Sequence, residues 1–286
     1  MDLKAAVGLN AGELLAFVGA GGKTTTAWRL LCQIVDSGER VVFTTTTHIF
    51  RPRDASLFLT PAPAPAEIAR RLGEAPALVL AAGPGESGDP EHAARSPYPA
   101  DPVKLVGLEP EVLSDLARQM PHVTWLVEAD GARRRLLKAP AEYEPVIPSE
   151  ADRVVIVAGL DAIGKPLDER AVHRPEIAAR LLGVPPGAVV TTEMVVKLIG
   201  HPSGGLKGIP ACAEVVVLLA QWADCSGIYA DAVMQALLPN RRIARTVLVN
   251  FGSGSVRNQV FQKKPGFFPR FLKKTQIGCA RMRNIG

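Results

Sequence analysis

Aromatic residues are scarce in this chain, at 5% of the total, and charged residues make up only 21%. With so few rings the core must be aliphatic, and the dominance of Val, Ala and Leu suits a parallel sheet covered on both faces. The four cysteines, Cys32, Cys212, Cys225 and Cys279, form no C-x-x-C pair, so their spacing asks for neither a metal nor a bridge. Cys32 is expected to be a small buried hydrophobe on a helix. No apolar run approaches the ~20 residues that span a bilayer. No charged-then-apolar pattern marks a secretion signal either. A reduced, cytoplasmic protein without a transmembrane segment is the expectation.

Acid is missing from one end of the chain. Between Val256 and Gly286 there are eight basic residues (Arg257, Lys263, Lys264, Arg270, Lys273, Lys274, Arg281, Arg283) and no acidic one. Removing those eight from 33 leaves 25 basic against 28 acidic residues, so the body carries about −3 while the whole chain carries +5. A mildly acidic body argues against a nucleic-acid partner. The tail, 256–286, is expected to be disordered; its phenylalanines leave contact with anionic lipid or RNA as the alternative. Residues 1–255 read as one α/β domain, long enough to bury a full core.

What the chain does have is concentrated in Gly19 to Thr26, Gly-Ala-Gly-Gly-Lys-Thr-Thr-Thr, directly after the apolar run Leu14–Val18. A buried strand that breaks into glycines and then Lys-Thr, opening a helix, is the layout of a phosphate-binding loop. Glycines let backbone N–H groups turn inward on an anion, and the helix that follows adds its positive end. Gly19, Ala20, Gly21, Gly22, Lys23, Thr24 and Thr25 would cradle the phosphates of a nucleotide, with Lys23 as the point charge and the Thr24 hydroxyl on Mg²⁺. The spacing is the short G-x-x-G-K-T, because Phe17 occupies the position of the first glycine in the longer pattern. Mur-type ligases share the short form.

Around this loop, strands and helices alternate. Helical spacing covers Ala27 to Val35, Glu67 to Leu72, Glu109 to Met120, Arg174 to Leu182, Thr192 to Ile199 and Ala230 to Leu238. Apolar strands are expected at Val41–Phe43, Ala77–Ala82, Val123–Val127, Arg153–Ala158, Glu214–Leu219 and Thr246–Asn250. The alternation predicts a doubly wound, mostly parallel sheet of the P-loop NTPase kind, with the loop-bearing strand central. Residues 61–66, alternating Pro and Ala, read as a stiff connector. Residues 84–103, rich in Gly, Pro and Ser, read as a mobile loop.

Parallel sheets bind ligands beyond the carboxyl ends of their strands, and four polar clusters fall at such ends: the glycine loop, Thr44–His48, Glu128–Asp130 and Gln221–Asp224. Glu128 and Asp130 share one strand face and are candidate Mg²⁺ ligands and catalytic groups, together with Lys23. The threonine run equally suits a strand sterically. His48 and Arg133 are candidate substrate contacts, Arg133 as a clamp for an anionic group. Lys138, Glu142 and Glu144 could line the same pocket.

Five segments in order, Phe17–Thr25, Thr44–Ile49, Val127–Ala132, Lys138–Pro148 and Val172–Glu176, resemble the YqeC family, with a likeness running from about Glu13 to about Gly252. The resemblance implies an accessory protein for selenium-dependent molybdenum hydroxylases, linked to making their labile selenium cofactor. It also implies that Lys23, Thr24, Glu128, Asp130, Lys138, Glu142, His173 and Arg174 belong to the site. The hydroxylase, or a precursor of its cofactor, then becomes an expected partner. Family members carry an Asn-Lys-x-Asp-like stretch where this chain has Gln221-Trp222-Ala223-Asp224. Asp224 can still accept from a base, but ATP and GTP both stay open. Three functions compete: an Mg²⁺-nucleotide-dependent enzyme, a nucleotide-gated chaperone for a cofactor or its target, and a Mur-like ATP-dependent ligase. The short chain disfavours the last.

Overall fold

The computed structural model describes residues 2–53, 55–94, 96, 99–221, 227–251 and 260–262. Its strands are β1 (Leu14–Gly19), β2 (Val41–Thr45), β3 (His48–Pro52), β4 (Leu57–Leu59), β5 (Ala77–Ala81), β6 (Gly83–Ser87), β7 (Ala100–Val106), β8 (Thr124–Glu128), β9 (Leu137–Lys138), β10 (Arg153–Gly159), β11 (Val172–His173), β12 (Glu214–Gln221), β13 (Ile243–Asn250) and β14 (Val260–Gln262). The helices are α1 (Leu3–Val7), α2 (Lys23–Asp36), α3 (Pro65–Glu74), α4 (Pro90–Ala94), α5 (Pro110–Gln119), α6 (Pro175–Leu182), α7 (Thr192–Gly200) and α8 (Gly227–Leu237).

The main sheet runs β14-β13-β12-β10-β1-β8-β2-β5-β4. Every pairing in it is parallel except the edge pair β13 with β14. The glycine-loop strand β1 is therefore central, between β8 and β10. Alternation along the strands sends side chains into two aliphatic cores. Leu15 and Phe17 of β1 pack beneath α1 and α2, with Leu30 and Ile34. Leu14, Ala16 and Val18 face the other layer, with Ile68 of α3, Leu113 of α5, Ala178 of α6, Val195 of α7 and Val233 of α8. This is the doubly wound α/β arrangement.

Three expectations are corrected. Residues 84–103 carry β6, α4 and the start of β7, and β3, β7 and β6 form a second, antiparallel sheet. Gly-Pro-Gly-Glu-Ser has no strand pattern of its own; backbone pairing to β7 supplies it. The connector at 61–66 ends early, because Pro65 is the first residue of α3, where a missing N–H costs nothing. Cys32 is exposed, since the buried stripe of α2 runs through Leu30, Leu31 and Ile34 and leaves it on the outer side. Of the tail 256–286 only Val260–Gln262 is described, as β14 on the edge of the main sheet; its eight basic residues and Cys279 lie outside the described residues.

β3 and β6 begin just past the carboxyl ends of β2 and β5. The small sheet thus stands at the rim where a parallel sheet presents its loops.

Candidate functional site

The turn after β1 is possible only with glycine. Gly19 and Gly21 adopt φ of 91° and 92°. A Cβ on Gly21 would lie 2.6 Å from Gly159 N and 2.8 Å from Leu136 O. Backbone thus walls the loop on two sides. Its amides are partly committed: Ala20 N donates to Val157 O (2.9 Å) and Gly19 N to Asp130 Oδ2 (2.9 Å). No side chain caps the start of α2 at Gly22. The first-turn N–H groups, which no helix can satisfy internally, are left with their partial positive charge.

Lys23 is buried and curls back over the loop. Its Nζ donates to Gly19 O at 2.6 Å and stands 2.9 Å from Asp130 Oδ1. Thr24 Oγ1 donates to Glu128 Oε2 at 2.8 Å. The two acids on one face of β8 and its exit are therefore divided: Asp130 serves the lysine, Glu128 the threonine. Burial raises the Glu128 carboxyl above the ordinary carboxylate range, against the opposing pull of the Lys23 charge and the Thr24 hydroxyl. Thr25 beside them is partly exposed.

The threonine run wires the neighbouring strand ends. Thr45 Oγ1 donates to Glu128 O (2.7 Å) and Thr46 Oγ1 to Val146 O (2.7 Å). Thr44 is fully buried, and its hydroxyl has no partner.

From Asp130 a chain of ion pairs leads away from the loop. Lys138, its side chain 1% exposed, lies 3.1 Å from Asp130 Oδ2 and 2.9 Å from Glu144 Oε2. It also donates to Gly131 O at 2.5 Å. Pairing of β9 with β11 puts His173 directly beside Lys138. Arg174 donates through Nη1 to Glu144 Oε2 (2.5 Å) and through Nη2 to Glu144 Oε1 (3.3 Å) and to Tyr143 Oη (3.1 Å). Its backbone, at φ 60° and ψ 63°, is left-handed, as are Arg133 and Arg134 at φ 45° and 61°. Such conformations cost about 1–3 kcal/mol each in non-glycine residues and cluster at functional sites. His173 is pushed down to about 4, first by burial and then by the Arg174 and Lys138 charges.

The structure thus gathers Gly19–Thr24, Glu128, Asp130, Lys138, Glu144, His173 and Arg174 in one place. His48 opens β3, is exposed, and joins none of these contacts. Arg133 and Glu142 are exposed at its edge. Asp224 lies outside the described residues. Two participants were not singled out from the sequence. Tyr143 stands in the quoted Glu-Tyr-Glu stretch and was passed over for its acidic neighbours. Lys207 sits in a Gly/Pro-rich stretch without any signal, yet its ammonium binds the carbonyls of Ala141 and Glu142.

Among the described residues no three His, Cys, Asp or Glu side chains are close enough to cage a metal, and none forms a helix long and apolar enough to cross a membrane. Fold and site together define an α/β protein with a glycine-turned, lysine-bearing loop at the centre of a parallel sheet. A family model described as YqeC protein matches residues 15–176, a span that holds the loop, Glu128, Asp130, Lys138, Glu144, His173 and Arg174. The chain is 30% identical over 219 residues to a protein of Escherichia coli (strain K12) described as uncharacterized protein YqeC, covering 77% of this chain and 80% of that one. The chain belongs to the YqeC family.

Proposed function

We propose that this protein binds an Mg²⁺–nucleoside triphosphate, ATP or GTP, at Gly19–Thr25 and uses it in a step of selenium-cofactor maturation for selenium-dependent molybdenum hydroxylases, in the cytoplasm. The observation that carries the nucleotide reading is the paired contact of Lys23 with Gly19 O and Asp130 and of Thr24 with Glu128, at an uncapped helix start. A lysine and a hydroxyl held side by side at the start of a helix that no side chain caps suit a polyphosphate and its cation. Glu128, buried and raised, gains from a divalent cation, so Thr24 and Glu128 fit Mg²⁺. That ion needs only one or two protein oxygens besides phosphate and water. When bound, it would neutralise charge on the phosphoryl oxygens. Lys23 and the loop amides would position and stabilise the same group. The selenium assignment rests on the family resemblance alone.

A titration of ATP, GTP and CTP with Mg²⁺ against wild type and Lys23→Ala tests the binding. Losing one charge-assisted contact should weaken affinity by roughly 10- to 100-fold. Equal affinity in both proteins removes the loop from the account. Turnover with candidate cofactor precursors then separates an enzyme from a nucleotide-gated chaperone. The chaperone reading is favoured by Asp130, whose oxygens are committed to two ammonium groups and an amide rather than poised as a base. It expects nucleotide-dependent co-purification with a hydroxylase while phosphate release stays at background.

A further inference from the structure

Lys23 is held away from solvent by a carboxylate that is itself shared. Asp130 gives one oxygen to Lys23 and the other to Lys138 and Gly19 N. Lys138 in turn divides its charge between Asp130 and Glu144, and Glu144 is gripped by Arg174. The inner members are almost wholly buried: Lys23, Asp130 and Lys138 side chains are 4%, 3% and 1% exposed. In so poorly hydrated a place, weakening one pairing redistributes attraction to the next, because water cannot substitute for the lost partner.

We propose that Lys138 and Glu144 are positioning residues of the phosphate loop, acting through Asp130 to set how readily Lys23 is released to a polyphosphate. The inference rests on the nucleotide reading above and deepens it. An arriving polyphosphate draws Lys23 off Asp130, and the cost depends on how fully Lys138 can satisfy that carboxylate. Removing the Glu144 charge leaves Asp130 as the one carboxylate paired with Lys138, which loosens the hold on Lys23. Removing the Lys138 charge leaves Asp130 with Lys23 as its remaining ammonium partner, which tightens that hold. The two substitutions therefore act in opposite directions, although both damage the same ion-pair chain. Simple loss of structure would weaken binding in both. A plain through-space field would make the effects additive, whereas a relay makes the first depend on the second.

The test is calorimetric titration of Mg²⁺–ATP and Mg²⁺–GTP into the full chain, as wild type, Glu144→Gln, Lys138→Met and the double variant, with thermal melts of each. Expected are at least about 5-fold tighter binding for Glu144→Gln and about 5-fold weaker binding for Lys138→Met, at the low end of measured site-to-site couplings. The double variant should match Lys138→Met. Weakening in both single variants, or additive effects, overturns the relay while leaving the nucleotide reading standing. Failure of wild type to bind either nucleotide overturns both. Should Lys138→Met not fold, Glu144→Gln is titrated at low and at high salt: tightening that survives high salt supports the relay, because a through-space field is screened, and tightening lost with salt, or no tightening, rejects it.

Discussion

Gly21 shows how much a single atom matters at this site. An added Cβ would press on the backbone of Gly159 and Leu136, and its φ of 92° is strained for any L side chain. Neither neighbour is a flexible side-chain end that can swing away. Gly21→Ala should cost at least about 1–3 kcal/mol of stability, read as a lowered midpoint in denaturant, and should weaken nucleotide binding further than that loss explains. An unchanged midpoint would mean the loop is not pinned between Gly159 and Leu136. Thr24→Ala offers a complementary outcome: nucleotide affinity should lose its dependence on Mg²⁺ while Lys23 contacts persist. These residues were legible in the sequence because glycine, lysine and hydroxyl at fixed spacing carry their geometry with them. The division between Glu128 and Asp130 was not, since one face of a strand admits both and only the packing of α2 chooses.

At the scale of elements, sequence reading succeeded where a segment carries its own signal. The helical stripe of α2 and the continuous apolar runs of β8, β10 and β12 are such segments, buried on both faces. It failed where pairing is supplied from elsewhere. β9 and β11 are two residues each, too short to leave a periodicity, yet their contact sets Lys138 beside His173. β6 is strand only because β7 lies next to it. The crossing where β7 leaves the small sheet is correspondingly tight: a Cβ on Gly107 would fall 2.4 Å from Thr45 O and 2.6 Å from Thr47 N. Gly107→Ala should therefore destabilise by about 1–3 kcal/mol and raise amide exchange at Thr46 and Gly107, which bond to Glu128 O and Thr47 O. Exchange confined to solvent-facing edges would show that the small sheet moves independently of the threonine run.

For the molecule as a whole, His173 predicts a response to acid. Its native value is about 4, against 6.5 for a free imidazole. Between those values the unfolded chain binds a proton that the native protein does not, so stability falls as pH is lowered across that window and levels off below it. The side chain is half-buried, and screening limits the effect to the order of 1 kcal/mol. Melting temperatures of wild type and His173→Gln between pH 4 and 6.5 check this: the variant should lose part of the slope, and parallel curves would assign acid sensitivity to other groups.

The central place of β1 has a further consequence for biosynthesis. Its hydrogen-bond partners lie far along the chain: Gly19 N reaches Asp130 across 111 positions, and Ala20 N reaches Val157. Contacts so distant form only after long loops have closed. A nascent chain halted before β10 would carry every residue of the glycine motif but not the wall that Gly159 supplies or the Val157 carbonyl that Ala20 N binds. The proposed affinity for polyphosphate should accordingly be acquired late on the ribosome, when β10 zips up alongside a strand made long before it.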